Sequence, residues 1–506
     1  MKNQLVRWKV RRFTCRLWLG LSLFIFLLVF HPSEIFADIN HLDETIKRIE
    51  IEIETNMKTH HIPGMAFALV DKKGVLYSRG FGLLDIRDDS AKVNEQTNFM
   101  LGSLSKVFVS LAVMQLYEKG ILDIDLPVVH YLPWFSAKEA TLSNQIKVRH
   151  LLNHSSGLPD RLNVHDITSL DKQDRINKMI RKISEVQLTG QPGEIFEYTN
   201  MNTDLLQILI EEVTGEPFAQ YMKQHIFVSL DMERTGYFAF DGSHLSNSAT
   251  GHRYHWGQLE PFKEELSYAT SGSAGLSSNV SDLAKFIVNL LNDGEGHRSS
   301  PISSDSIDQM FMPNQYGAGF NWHVFPHNIY MEGGLPGFTT ILILSADKSF
   351  GLVLLSNSKQ DITFHSGFNL FRIVAGGTPK PLLASDFPHV SLSARLIVML
   401  TALIGLGLVC VAGMIGWGLW KGRRRFVFGK PNGRKLAIPL LILSLFFGFM
   451  YYIYILLPVN IGVPSLHDYK KDPDIVQGLE IFTSTFAAFT IILCLKLLFF
   501  VRGNGR

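Results

Sequence analysis

Three apolar runs close the chain, Leu396–Trp420, Leu436–Leu457 and Gly478–Val501, and each is long enough to cross a ~30 Å hydrocarbon layer as a helix. Such runs assign residues 396–506 to a membrane module of three spans, because a water-soluble core has no use for so much contiguous apolar surface. Between the first two runs lie Lys421, Arg423, Arg424, Arg425, Lys430, Arg434 and Lys435 without one acid, whereas the loop Pro458–Gln477 mixes Lys470 and Lys471 with Asp468, Asp472 and Asp474. The basic loop belongs on the cytoplasmic side, so the region before Leu396 is expected outside and the C-terminus inside. The N-terminus agrees independently. Lys2, Arg7, Lys9, Arg11, Arg12 and Arg16 precede the apolar run Leu17–Phe30, and Ala37 offers a cleavage site, which reads residues 1–37 as a signal peptide or signal anchor.

Residues 38–375 then form an exported domain, joined to the membrane module by a linker over 376–395 in which Gly376, Gly377, Pro379, Pro381 and Pro388 interrupt regular structure. The charges nearly balance, 48 basic against 46 acidic for a net +2, which gives no overall basic field and no reason to expect nucleic acid as a partner. Cys15, Cys410 and Cys494 all lie outside the exported domain, so disulfides, thiol nucleophiles and Cys-ligated zinc are excluded there.

Within that domain Ile46, Ile49, Ile53 and Met57 recur at helical spacing after a possible Asn40 cap. Two strand pairs stand at opposite ends. Met65–Val70 and Val75–Phe81 flank Asp71-Lys72-Lys73-Gly74, and Thr340–Leu344 and Gly351–Leu355 flank Asp347-Lys348. Between them lie helical patterns at Val107–Tyr117, Leu205–Val213 and Leu283–Leu291. The expected fold is α/β of the α+β type: an antiparallel sheet assembled from both ends of the domain, flanked by helices, with a helical lobe and a cleft between the two.

Three short segments carry the chemistry. Ser103 and Lys106 have the i, i+3 spacing that brings side chains together on a helix face, and a partly buried lysine can take the proton that makes a serine nucleophilic. Tyr198-Thr199-Asn200 supplies a phenol that can relay protons beside an ammonium, and an amide that can hold a lysine and a substrate carbonyl. Met331-Glu332-Gly333-Gly334-Leu335-Pro336-Gly337-Phe338 opens the last strand pair, and its glycines allow a substrate backbone close to the strand.

Taken in this order, the three resemble the serine beta-lactamase and penicillin-recognising hydrolase family, in its class C and DD-peptidase-like branch, over roughly residues 42–370. Ile62-Pro63-Gly64, the segment His150–Pro159 and the segment Gly272–Ser278 add to the resemblance. It implies a nucleophilic Ser103, a proton relay through Lys106 and Tyr198, Asn200 as a positioning amide, and an oxyanion hole from the backbone N–H groups of Ser103 and Gly334. It implies no cofactor and no metal. His154 tempts as a base, yet its Asn-His-Ser-Ser-Gly-Leu-Pro context matches a family segment that shapes a loop.

The sequence departs from the family in the third motif, which usually reads Lys-x-Gly or His-x-Gly: Met331 stands where the cation belongs, two before Gly333. Alternation along a strand puts Met331 and Gly333 on the cleft side and Glu332 on the other. Without the cation, neutral esters and amides are expected to react at least as well as substrates bearing a carboxylate. The activity expected is that of a membrane-anchored serine hydrolase acting outside the cytoplasmic membrane on small or cell-wall-derived D-amino-acyl amides or esters. A prodrug-activating D-amino-acid peptidase and a non-enzymatic beta-lactam sensor are the alternatives, and the membrane module is a candidate docking site for a membrane-protein partner.

Overall fold

The computed structural model describes residues 42–381 apart from short internal segments, and residues 392–421, 424–426, 433–456 and 473–502 of the C-terminal region. Residues 1–37, read above as an export signal, much of the 376–395 linker, most of the loop between the first two apolar runs and most of Pro458–Gln477 lie outside the described residues.

The elements that build the site are, in chain order, helix α1 (Leu42–Thr59), strands β1 (Gly64–Asp71) and β2 (Gly74–Gly82), helices α2 (Ser105–Glu118), α3 (Asn200–Thr214), α4 (Ser271–Ala274) and α5 (Val280–Leu291), strands β3 (His323–Val324), β4 (Asn328–Leu335), β5 (Phe338–Ser345) and β6 (Phe350–Ser356), and helix α6 (Ile362–Val374). The strands form one sheet in the order β2-β1-β6-β5-β4-β3, antiparallel throughout. The first and last strands of the domain thus meet at β1 and β6, as the two hairpin signals anticipate. Asp71 Oδ1 accepts from the backbone N–H groups of Lys73 and Gly74 and so shapes the first turn.

Helices cover both faces of this sheet, so β5 and β6 are buried along their whole length. Ala66, Ala68, Val70, Leu342, Leu344, Val353 and Leu355 face the helical lobe, while Met65, Phe67, Leu69, Ile341, Ile343, Leu352 and Leu354 form a second core with α1 and α6. Helix α1 contributes Ile49 and Ile53 to that core, the 3.6-residue stripe expected of it. In the other lobe α2 is buried around nearly its whole circumference, which explains why apolar residues occupy every side of it. Helix α3 starts at a Thr199 cap, whose hydroxyl accepts from Met201 N–H, and stops at Gly215 in the left-handed region with φ of 71°. Its Glu211 pairs at 2.8 Å with Arg175 in the interior and accepts from the Tyr268 hydroxyl, which fixes α3 against its surroundings.

In the C-terminal region α7 (Leu392–Trp420), α8 (Gly433–Tyr451) and α9 (Pro473–Phe499) follow. Among the described residues two of them contain segments long and apolar enough to cross a membrane, Leu396–Trp420 and Ile475–Leu495, where three spans were expected. The middle helix has a shorter apolar stretch, Pro439–Ile455, among the described residues. Pro439 stands inside this helix, and Tyr452–Leu456 continue it with π-helical winding. It packs on α9 through Phe446 against Phe486 and Phe449 against Phe482.

Candidate active site

Ser103 lies in a single 3₁₀ turn, Gly102–Leu104, that runs directly into α2. Ser105 holds this junction: its hydroxyl donates to the Gly102 carbonyl at 2.6 Å and accepts from Leu276 N–H at 3.1 Å. The turn leaves Ser103 partly exposed while Lys106, one turn on, has no exposure at all. The Lys106 ammonium donates to Ser103 Oγ at 2.9 Å and to the Ser273 carbonyl of α4 at 2.8 Å. A buried amine so close to an accessible hydroxyl is the arrangement that general-base activation of serine requires.

Tyr198 and Asn200 enter from the start of α3. The Lys106 ammonium stands 5.1 Å from the centroid of the Tyr198 ring, so the two groups meet across the ring face; among the described residues the phenol oxygen makes no hydrogen bond. Asn200 is half-buried at the first position of α3. His154 packs against Tyr198. Its ring lies 4.4 Å from that of Tyr198, Nδ1 accepts from Asn202 Nδ2 at 3.1 Å, and Nε2–H donates to Asn321 Oδ1 at 3.0 Å. Burial, with the nearby Lys106 ammonium, pushes its pKa down to about 3, so His154 is a neutral, fully bonded scaffold residue.

The β4 strand closes the site from the sheet side. A Cβ on Gly333 would fall 1.9 Å from the Leu101 carbonyl, and one on Gly102, whose φ is 56°, would fall 2.8 Å from the Gly334 nitrogen. Only glycine at these positions lets the nucleophile's turn lie directly on the strand, which places the N–H groups of Ser103 and Gly334 on neighbouring backbone. Thr340 of β5 locks the junction by donating to the Leu101 carbonyl at 2.8 Å.

Met331 lies on the Gly333 side of β4, but its side chain is 2% exposed and shares a narrow crevice with His154, Phe196, Tyr198, Trp322 and His323. It supports Tyr198 more than it lines an open cleft. A cation does approach this strand from elsewhere. The Lys359 ammonium would lie 2.7 Å from a Cβ on Gly334, and it also stands 5.8 Å from the Phe364 ring of α6. Sequence reasoning missed it because Lys359 sits in a polar loop after β6 with no motif around it. It also missed Asp204, which stands in none of the three motifs; the carboxylate is fully buried in α3.

A family model described as beta-lactamase matches residues 50–371. "Protein flp" of Staphylococcus aureus (strain MW2) is 27% identical over 323 residues, covering 63% of this chain and 64% of that protein. "Putative penicillin-binding protein PbpX" of Bacillus subtilis (strain 168) is 28% identical over 349 residues, covering 65% of this chain and 83% of that one. The chain thus spans 64% of the length of the Staphylococcus relative. Among solved structures, the octameric penicillin-binding protein homologue from Pyrococcus abyssi superposes with a TM-score of 0.58 at 24% identity, over 66% of this chain and 78% of its own. A class C beta-lactamase superposes with a TM-score of 0.57 at 18% identity, over 69% and 99%. At such identities the two structures attest the fold, and it is the family model, matching more than half of the sequence, that decides membership: this chain belongs to the beta-lactamase family.

Proposed function

We propose that this protein is a membrane-anchored serine hydrolase whose catalytic domain works outside the cytoplasmic membrane, forming an acyl-enzyme on Ser103 from D-amino-acyl amides or esters. The observation that carries the reading is the 2.9 Å hydrogen bond from a fully buried Lys106 to an accessible Ser103. As Ser103 Oγ attacks the carbonyl carbon, its proton passes to the Lys106 and Tyr198 pair, and the negative charge that grows on the carbonyl oxygen is met by the N–H groups of Ser103 and Gly334. The proton then goes to the departing amine or alcohol, leaving an ester on Ser103 that water hydrolyses with the same pair as base. Asn200, at the head of α3, orients the acyl carbonyl.

The buried Met331 modifies the substrate expected from the sequence. Lys359 brings a positive charge to Gly334 at the end of β4, from a loop the family motif does not include. A substrate aligned along the open edge of β4 would present a terminal carboxylate to that ammonium. Peptides or esters ending in a free carboxylate are therefore the preferred class in this reading. The expected export signal and the apolar helices α7 and α9 support a site of action at the outer face of the cytoplasmic membrane, and α8 with its flanking loops is a candidate contact for a membrane-protein partner.

The test is to incubate the full chain in detergent with beta-lactams, D-alanyl peptides, D-alanyl esters and simple aryl esters, and to follow both intact mass and product. An adduct on Ser103, with turnover of carboxylate-bearing D-alanyl compounds ahead of neutral esters, is expected. Absence of any adduct across the panel contradicts the hydrolase reading.

A further inference from the structure

Asp204 is an unexplained acid next to the candidate catalytic centre. It has no solvent exposure, and neither of its carboxylate oxygens has a hydrogen-bond partner among the described residues. Helix α3 sets it one turn after Asn200 and three residues before Gln207, on a shared face. That face is pinned to α4: Gln207 accepts from Gly272 N–H at 2.7 Å and donates to the Tyr268 carbonyl at 2.9 Å. Helix α4 is also what Lys106 grips, through the Ser273 carbonyl. Asp204 and Lys106 therefore converge on the same four-residue helix from two neighbouring helices.

A carboxylate or an ammonium alone in such an interior is strongly unfavourable, and two opposite charges together are far less so. Among neutral acceptors Lys106 uses only Ser103 Oγ and the Ser273 carbonyl, which do not neutralise it. We propose that Asp204 is the buried counter-charge of Lys106, a positioning residue whose negative charge holds the ammonium against Ser103 and sets the pH at which the site can accept the serine proton.

The proposal rests on the hydrolase reading and adds a residue to it. Burial raises the Asp204 carboxyl to about 7, opposed by the Ser273 hydroxyl, which here donates to the Thr270 carbonyl, and by the Lys106 ammonium. The other titratable groups around the pair are Tyr198 and His154, from the segments leading into α3, and His154 is neutral. Helix α4 presents only hydroxyls and carbonyls, and β4 presents Met331 and Gly333.

The sign of the effect does not depend on which base takes the proton. A nearby negative charge favours the protonated form of whichever base takes the proton, so its removal favours the unprotonated form. Asp204→Asn should therefore move the acid limb of the acylation pH profile to lower pH by about one unit or more, and Asp204→Glu should retain most of the wild-type position. A limb that stays in place while the rate merely scales would overturn the proposal.

A second readout needs no activity. In the full chain in detergent, Lys106→Met leaves Asp204 buried without its cation, with a folded pKa further above the unfolded value of ~3.9. The stability contributed by such a group is present below ~4 and is lost as pH rises through the folded value. Lys106→Met/Asp204→Asn should thus melt several degrees above Lys106→Met at pH 8, and the gap should narrow strongly at pH 5. Equal melting temperatures at both pH values would overturn the proposal. If no probe acylates any variant, the hydrolase reading fails while the melting comparison still decides whether the two charges pair.

Discussion

The His154 ring stacks on Tyr198 at 4.4 Å while its two nitrogens bridge Asn202 of α3 and Asn321 ahead of β3. One neutral imidazole thereby holds the phenol, the first turn of α3 and the sheet-side loop in register, which is a structural task that needs no proton transfer. Because His154 titrates near 3 when folded and near ~6.5 when unfolded, the unfolded chain binds the extra proton between those values. Stability should fall as pH drops from ~6.5 toward 3, and His154→Gln should weaken that fall. Melting temperatures measured from pH 7 to pH 4.5 check this. A slope unchanged by the substitution would show that His154 is not the group responsible.

Gly333→Ala places a methyl 1.9 Å from the Leu101 carbonyl, a distance no rotamer can relieve. The strand must retreat from the nucleophile's turn, and with it the Gly334 N–H. Since a displacement near 1 Å can cost ~10² in rate, acylation should fall by about that factor or more with the fold retained. Stopped-flow labelling together with circular dichroism is the measurement, and wild-type labelling by a well-folded variant would remove Gly334 from the proposed oxyanion hole.

Lys359→Gln should lower kcat/KM for carboxylate-bearing substrates about tenfold relative to neutral esters, the equivalent of ~1.4 kcal/mol. Met331→Lys, at a site only 2% exposed, should leave that ratio nearly flat and lower the melting temperature instead. The opposite pattern, with Met331→Lys creating the carboxylate preference, would return the specificity role to the motif position.

Protease added outside intact spheroplasts should remove the region before Leu396 and spare Lys421–Lys435. A protected catalytic domain would contradict the outward orientation drawn from the basic loop.

Much of this site was legible in the sequence because its residues act through local spacing. Ser103 and Lys106 are three apart on a helix, Tyr198 precedes a helix start marked by Thr199, and the glycines of β4 announce a close approach. Long-range relations were not legible. Lys359 reaches Gly334 only through the pairing of β6 with β5 and β5 with β4, and Asp204 stands in none of the three motifs and is buried only by tertiary packing.

The most direct test of the central claim is intact-mass analysis of the full chain and of its Ser103→Ala variant after exposure to an acylating probe. A single adduct on the wild-type protein that maps to Ser103 and is absent from the variant is the expected result. Equal labelling of the variant would contradict Ser103 as the nucleophile.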